Sequence, residues 1–250
     1  MPYTRRLSRA YRKRTRRGRS IRSRKIRNRR FQARVNRALM KKVETKYYLL
    51  GGDDTLLYHD RGTTTATAVG GTQGALIWDP WVNIGQGTGV RNRVGDEIYP
   101  RGMALRLTMY NQGDRTALFY RIIVCKLNRV INGTGMTGGN FDIFDANGSN
   151  DSIASVIKND SGVKVYYDKT FTVQGSTQWS VGADSTRKLR LFKKLFINPK
   201  GTKKIIFSAA NQIVNNPLAV FVLPYDAYNS LRTDNVATCQ YSCKLYFKDV

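Results

Sequence analysis

The side chains best suited to chemistry in this chain are arginines. Arg5, Arg6, Arg9, Arg12, Arg14, Arg16, Arg17, Arg19, Arg22, Arg24, Arg27, Arg29, Arg30, Arg34 and Arg37, with Lys13 and Lys25, follow one another at short intervals, mostly among Ser, Thr, Gly and Asn. A guanidinium presents a planar fork of donors that matches phosphate oxygens and reads no base identity. The run is therefore expected to bind nucleic acid, and a flexible tail can follow an irregular single strand. The same residues fit a nuclear-import signal, so the host import machinery is a further expected partner; the two uses are compatible.

Other motifs carry less. Gly133, Gly135 and Gly138 spell G-x-G-x-x-G, but a dinucleotide site needs a helix to open there, and the Gly, Asn and Asp that follow predict a loop. Gly52, Asp53 and Asp54 resemble the metal-binding turn of viral polymerases, without the further carboxylates such a site requires, and are read as a plain turn. His59 is the only histidine, which excludes metal sites built on two histidines and a paired histidine acid and base. Cys239 and Cys243, four apart on a predicted strand, would sit roughly 13 Å apart, too far to bridge or share a zinc, and are read as small core residues. Asp142, Asp145 and Asp151 are read as loop acids before a between-subunit cation site. Asn132, Asn147, Asn150 and Asn159 each begin an N-x-Ser/Thr triplet and are read as turn formers. No nucleophile, base and orienting group are legible together. The chain is expected not to be an enzyme and to use no cofactor or metal.

Charge divides the 250 residues in two. Met1 to Lys46 holds 15 Arg and 5 Lys against Glu44, a net of +19, out of +26 for the whole chain. The remaining 204 residues carry 23 basic and 16 acidic side chains, an ordinary surface. Residues 1–46 are read as a basic arm, disordered from Arg5 to Arg30 for want of large apolar residues, and 47–250 as one globular domain. Phe31, Val35, Ala38, Leu39 and Val43 form an apolar stripe that predicts a short amphipathic helix over 31–43. No apolar run reaches the roughly 18 residues of a membrane span, nor is there a secretory signal, so no membrane association is expected. Three cysteines make no disulfide framework and fit a reducing compartment.

The domain reads as all-β. Alternation of apolar and polar residues marks strands at Thr238 to Lys248, Met103 to Met109, Val163 to Val173 and Leu189 to Ile197. Ala117 to Leu127 and Leu218 to Leu223 are almost continuously apolar, as in strands covered on both faces. Weaker candidates at Tyr47 to Leu50, Thr63 to Val69, Ala75 to Trp78 and Lys203 to Ser208 bring the number to eight to ten. Ser149 to Lys158 reads as a short helix. Many strands and few crossovers favour a sandwich, jelly roll or barrel. Lys188, Arg190 and Lys194 project from the face of their strand opposite the core; they would line the same nucleic acid, or form a plain solvated face.

An arginine arm ahead of one β-domain resembles the capsid proteins of circular, Rep-encoding single-stranded DNA (CRESS-DNA) viruses, of the geminivirus type. The resemblance is carried by Arg93-Val94-Gly95 before the Met103 strand, Val165-Tyr166-Tyr167-Asp168-Lys169, Phe192-Lys193-Lys194-Leu195-Phe196-Ile197-Asn198 and the terminal Leu245-Tyr246-Phe247-Lys248-Asp249, in that order. The chain departs from plant geminivirus coats in lacking their Cys/His-rich region, His59 standing alone. The resemblance implies a single eight-stranded jelly roll of two antiparallel sheets, a homo-oligomeric icosahedral shell of about sixty copies, and an inward arm on single-stranded nucleic acid, DNA before RNA. It implies a virion protein that passes through the host nucleus. The competing expectation is a monomeric nucleic-acid-binding module, ribosomal or OB-like, with a basic tail. Against it stands the apparent lack of a basic, aromatic-studded strand face on which bases would stack.

Overall fold

A computed structural model describes residues 26, 28, 31–32, 34–35, 43–64, 73–115, 117–127, 140–141, 143–144, 152–157, 163–174, 189–198, 204–208, 218–228 and 230–249. The chain divides into two compact units, Met1–Glu44 and Thr45–Val250. In the first, residues 26, 28, 31, 32, 34 and 35 are helical. Phe31, Gln32, Arg34 and Val35 thus fall where the amphipathic helix was predicted, whereas Val43 lies in a bend. Ile26 and Asn28, expected in the unstructured run, are helical too; arginine is among the better helix formers, so the basic stretch does not oppose a helix. The rest of the arm lies outside the described residues.

The second unit is built of strands β1 (Thr45–Tyr58), β2 (Gln73–Gly74), β3 (Ile77–Trp78), β4 (Glu97–Asn111), β5 (Ala117–Leu127), β6 (Asn140–Phe141), β7 (Val163–Gln174), β8 (Arg190–Ile197), β9 (Ile205–Ile206), β10 (Leu218–Asp226) and β11 (Asn235–Asp249), with one 3-10 turn at Pro80–Asn83. Sheet I runs β1-β11-β4-β8, with β9 also paired to β4; sheet II runs β3-β10-β5-β7; β2 pairs with β6. Every one of these pairings is antiparallel. Numbered in chain order, the eight strands of the two main sheets fall as first-eighth-third-sixth and second-seventh-fourth-fifth. That is the strand order of a jelly roll, two Greek keys folded into a sandwich.

The predicted alternation explains the core. On β4, Met103, Leu105, Leu107 and Met109 point inward and are buried, as are Cys239, Cys243, Leu245 and Phe247 on β11. Opposite them Leu118, Tyr120, Ile122 and Val124 of β5 and Val220 and Val222 of β10 close the sandwich. Burying each such side chain contributes roughly 1.5–3 kcal/mol. Tyr120 brings a hydroxyl into this core and donates it to Asn111 Oδ1 at 2.7 Å.

β5 and β10 are apolar on their other face as well. There Ile123, Cys125, Leu127, Ala219, Phe221 and Leu223 form a second cluster with Ile143 and Phe144, against which Trp78 and Ile157 pack. The molecule thus covers the outside of sheet II with its own loops, which is why those two segments read as doubly buried.

Four expectations are corrected, the last for its described residues. Ser149 to Lys158 is no helix among its described residues: 152–154 form a turn and Ile157 bridges to Phe144. Arg121 donates to the carbonyls of Ser152 and Ser155 and so ties this turn to β5. Gly52, Asp53 and Asp54 are not a turn between elements but a bulge within β1, one extra residue falling between the Gly52–Tyr241 and Thr55–Cys239 pairs. A Cβ at Gly52 would lie 2.5 Å from Cε1 of Tyr241, so a larger residue there would displace that ring. Val165, predicted inward, is 40% exposed. β7 holds an extra residue between Val165 and Tyr167, which reverses the alternation beyond it. Of the Thr63 to Val69 candidate, Thr63 and Thr64 are not in a strand, and the remainder lies outside the described residues.

Candidate nucleic-acid interface

Of the arm's predicted phosphate-binding residues, Arg34 alone is described; it is helical and exposed. The other sixteen lie outside the described residues, as do Lys188, the G-x-G-x-x-G segment, Asp142, Asp145, Asp151 and the four N-x-Ser/Thr asparagines. Arg190 and Lys194 are on β8, exposed as predicted.

The outward face of sheet I is where register assembles a site. Four parallel rows cross it. Arg190 stands opposite Tyr110, which stands opposite Thr238; Phe192 is followed by Thr108 and Gln240; Lys194 by Arg106 and Ser242; Phe196 by Ala104, Lys244 and Leu49. At the end of the sheet Gly102 is followed by Tyr246 and Tyr47. Arg106 and Lys194 are thus like charges directly opposite one another, an arrangement that costs stability unless an anion joins them.

Aromatic rings lie among these cations. Lys194 Nζ is 5.3 Å from the Phe192 ring centre, and Lys244 Nζ is 4.1 Å from that of Tyr47 and 5.2 Å from that of Tyr246. Phe192 and Phe196 are 51% and 64% exposed. Phe196 reaches across the missing side chain of Gly102, where a Cβ would meet its Cζ at 2.6 Å. Its ring comes within 6.4 Å of Tyr246, tilted by 52°. An acid enters this face at the β1 bulge, where Gln240 Nε2 donates to Asp54 Oδ1 at 3.3 Å. The expectation that no basic, aromatic-studded strand face exists is therefore wrong. Its members sit on strands far apart in sequence, and only the outward half of each alternation, read together with register, would have found it.

Burial pushes the thiols of Cys125, Cys239 and Cys243 up to about 12, which leaves them unreactive, and all three are free. His59 is buried; its Nδ1 accepts the Asp226 N–H at 3.0 Å and its ring packs on Tyr225. Among the described residues no cluster of three His, Cys, Asp or Glu side chains could hold a metal.

Two of the short motifs meet in space. Arg93 is buried over the Phe207 ring at 4.1 Å and donates to Gly95 O at 2.6 Å and Asp96 Oδ1 at 3.0 Å. The Asp249 carboxylate near the end of the chain accepts from the Val94 and Gly95 amides and from Lys46 Nζ, the last at 3.1 Å. The beginning of β1, the loop before β4 and the end of β11 are thereby tied together.

No protein-family model matches the chain. No curated protein is found to be similar to it.

Proposed function

We propose that this chain is a viral capsid protein, whose jelly-roll domain associates with further copies into a small icosahedral shell and whose arginine arm packages a single-stranded genome. The observation that carries the reading is the joining, in one chain, of a leader of net +19 to an eight-stranded jelly roll. A shell needs a rigid, edge-managed building block, and a genome needs counter-charge. Each arm can neutralise about 19 phosphates, so about sixty copies would balance on the order of a thousand nucleotides, a very small genome. The resemblance to CRESS-DNA capsids favours DNA over RNA, passage through the host nucleus and residence in the virion.

The second reading, a monomeric nucleic-acid-binding module, is favoured by one observation, the basic and aromatic face of sheet I. Native mass measurement or light scattering on the purified chain separates the two. Megadalton particles containing nuclease-protected nucleic acid support the capsid, and a species that stays near 28.4 kDa at high concentration overturns it. Digestion of the protected material with DNase or RNase identifies the polymer.

A further inference from the structure

We infer that the outward face of sheet I binds the unpaired bases of single-stranded nucleic acid by stacking, and so responds to the presence of bases where the arm responds only to charge. The inference rests on the nucleic-acid-binding part of the proposed function and deepens it by assigning a second, chemically different contact.

Three features of the face point to one occupant. First, its charge is complementary to a polyanion. Arg190, Lys194, Arg106 and Lys244 lie on three neighbouring strands, and the Arg106–Lys194 pair sets two cations opposite each other, a repulsion that a bound phosphate would relieve. Second, rings and cations share the face, Lys194 Nζ lying over the Phe192 ring and Lys244 Nζ over those of Tyr47 and Tyr246. Phe192 and Phe196, four residues apart along β8, are spaced by roughly 13 Å, with Lys194 between them on the same face. A strand lying along β8 would meet ring, cation and ring in turn, the alternation of stacking surface and counter-charge that single-strand binders use. Third, one of the two rings is held ready. Phe196 lies over Gly102 and against Tyr246, so a base would find a partly built aromatic cleft rather than a mobile side chain. A paired duplex turns its bases inward and offers rings of this kind little to stack on, so the chemistry selects unpaired strands. Protein partners are less well matched, since the cores of protein interfaces are depleted of lysine.

The test uses the full chain in its unassembled form and two fluorescent probes with equal numbers of phosphates: a thirty-nucleotide oligothymidylate and an abasic strand of the same length. The arm binds both alike through phosphate. The stacking face adds affinity for the first only. Wild type is expected to prefer the oligothymidylate by about tenfold or more, and each of Phe192→Ala and Phe196→Ala to reduce that preference by about fivefold or more, with abasic affinity unchanged. Both rings are more than half exposed, so the variants are expected to fold, and thermal unfolding checks this. Phe196→Trp, which keeps a ring, should retain the preference where Phe196→Leu loses it. Equal affinity of wild type for the two probes overturns the inference while leaving the arm's role intact. Weak binding of both probes at low salt defeats the arm's role instead. If the alanine variants alter self-association and leave base preference unchanged, the face is a contact between copies and the inference is wrong.

Discussion

Replacing Arg121 by Met should unfold the domain at markedly lower denaturant, and the structure sets the size of the effect. The guanidinium is nearly buried and serves several partners at once. Its Nε and Nη2 donate to the two oxygens of Asp168 at 2.8 and 2.7 Å, and Nη1 donates to Ser155 O at 2.7 Å and to Ser152 O. Its Cζ lies 5.2 Å from the Phe144 ring centre. Methionine replaces the apolar stem and supplies none of the donors. Asp168 is 30% exposed and can be rehydrated, so its share of the loss is small. Ser152 and Ser155 are buried, and each carbonyl loses a hydrogen bond from a charged donor, about 1.5–3 kcal/mol apiece. A total of about 3–5 kcal/mol follows. For a domain of this size that lowers Tm by about 6–20 °C. Urea unfolding of the unassembled chain measures it, and hydrogen exchange should show residues 152–157 losing protection first. Asp168→Asn, which keeps an acceptor, should cost about 1 kcal/mol. If Arg121→Met stays within about 1 kcal/mol of wild type, the clamp does not hold this loop to sheet II.

Deleting residues 1–42 should leave a domain that folds and assembles but protects little nucleic acid, measured as nuclease-resistant polymer per particle; packaging equal to that of the full chain would refute the arm's role. Gly102→Ala places a methyl group against the far end of the Phe196 ring, so stability should change by less than about 1 kcal/mol. The ring should swing off Tyr246, with a measurable fall in preference for oligothymidylate over the abasic strand. Burial raises the Asp79 carboxyl to about 7, opposed by a hydrogen bond to Leu218. The folded state therefore holds a proton that the unfolded state has released between about pH 4 and pH 7, and stability falls as pH rises through that window. Asp79→Asn should match wild type near pH 4 and exceed it above pH 7 by on the order of a few kcal/mol, in unfolding experiments at the two pH values.

Much of the fold was legible because strand alternation is a local property. Leu105 and Leu107 on β4, or Cys243 and Leu245 on β11, declare their inward direction without knowledge of a partner strand. The continuous apolar runs of β5 and β10 likewise announced that both faces would be covered. The misread positions are those where a local period is interrupted by something distant. The Val165 face was reversed by an extra residue opposite β5, and the Gly52-Asp53-Asp54 bulge shows itself only in the pairing of β1 with β11. Ser152 to Ile157 was taken for a helix because Arg121, about thirty residues earlier, is invisible to local propensity.

By itself the sequence determined the segregation of charge, the all-β class and which side chains point into the core, since charge is additive along a chain and pleating repeats every two residues. Tertiary structure alone decided which outward residues become neighbours. Arg190, Arg106, Lys244 and Tyr246 come from three strands separated by long stretches of chain, and only the hydrogen-bond register of sheet I brings them onto one face with Phe192 and Phe196. Register is a relation between strands, set by how their buried faces pack, and no single strand carries it.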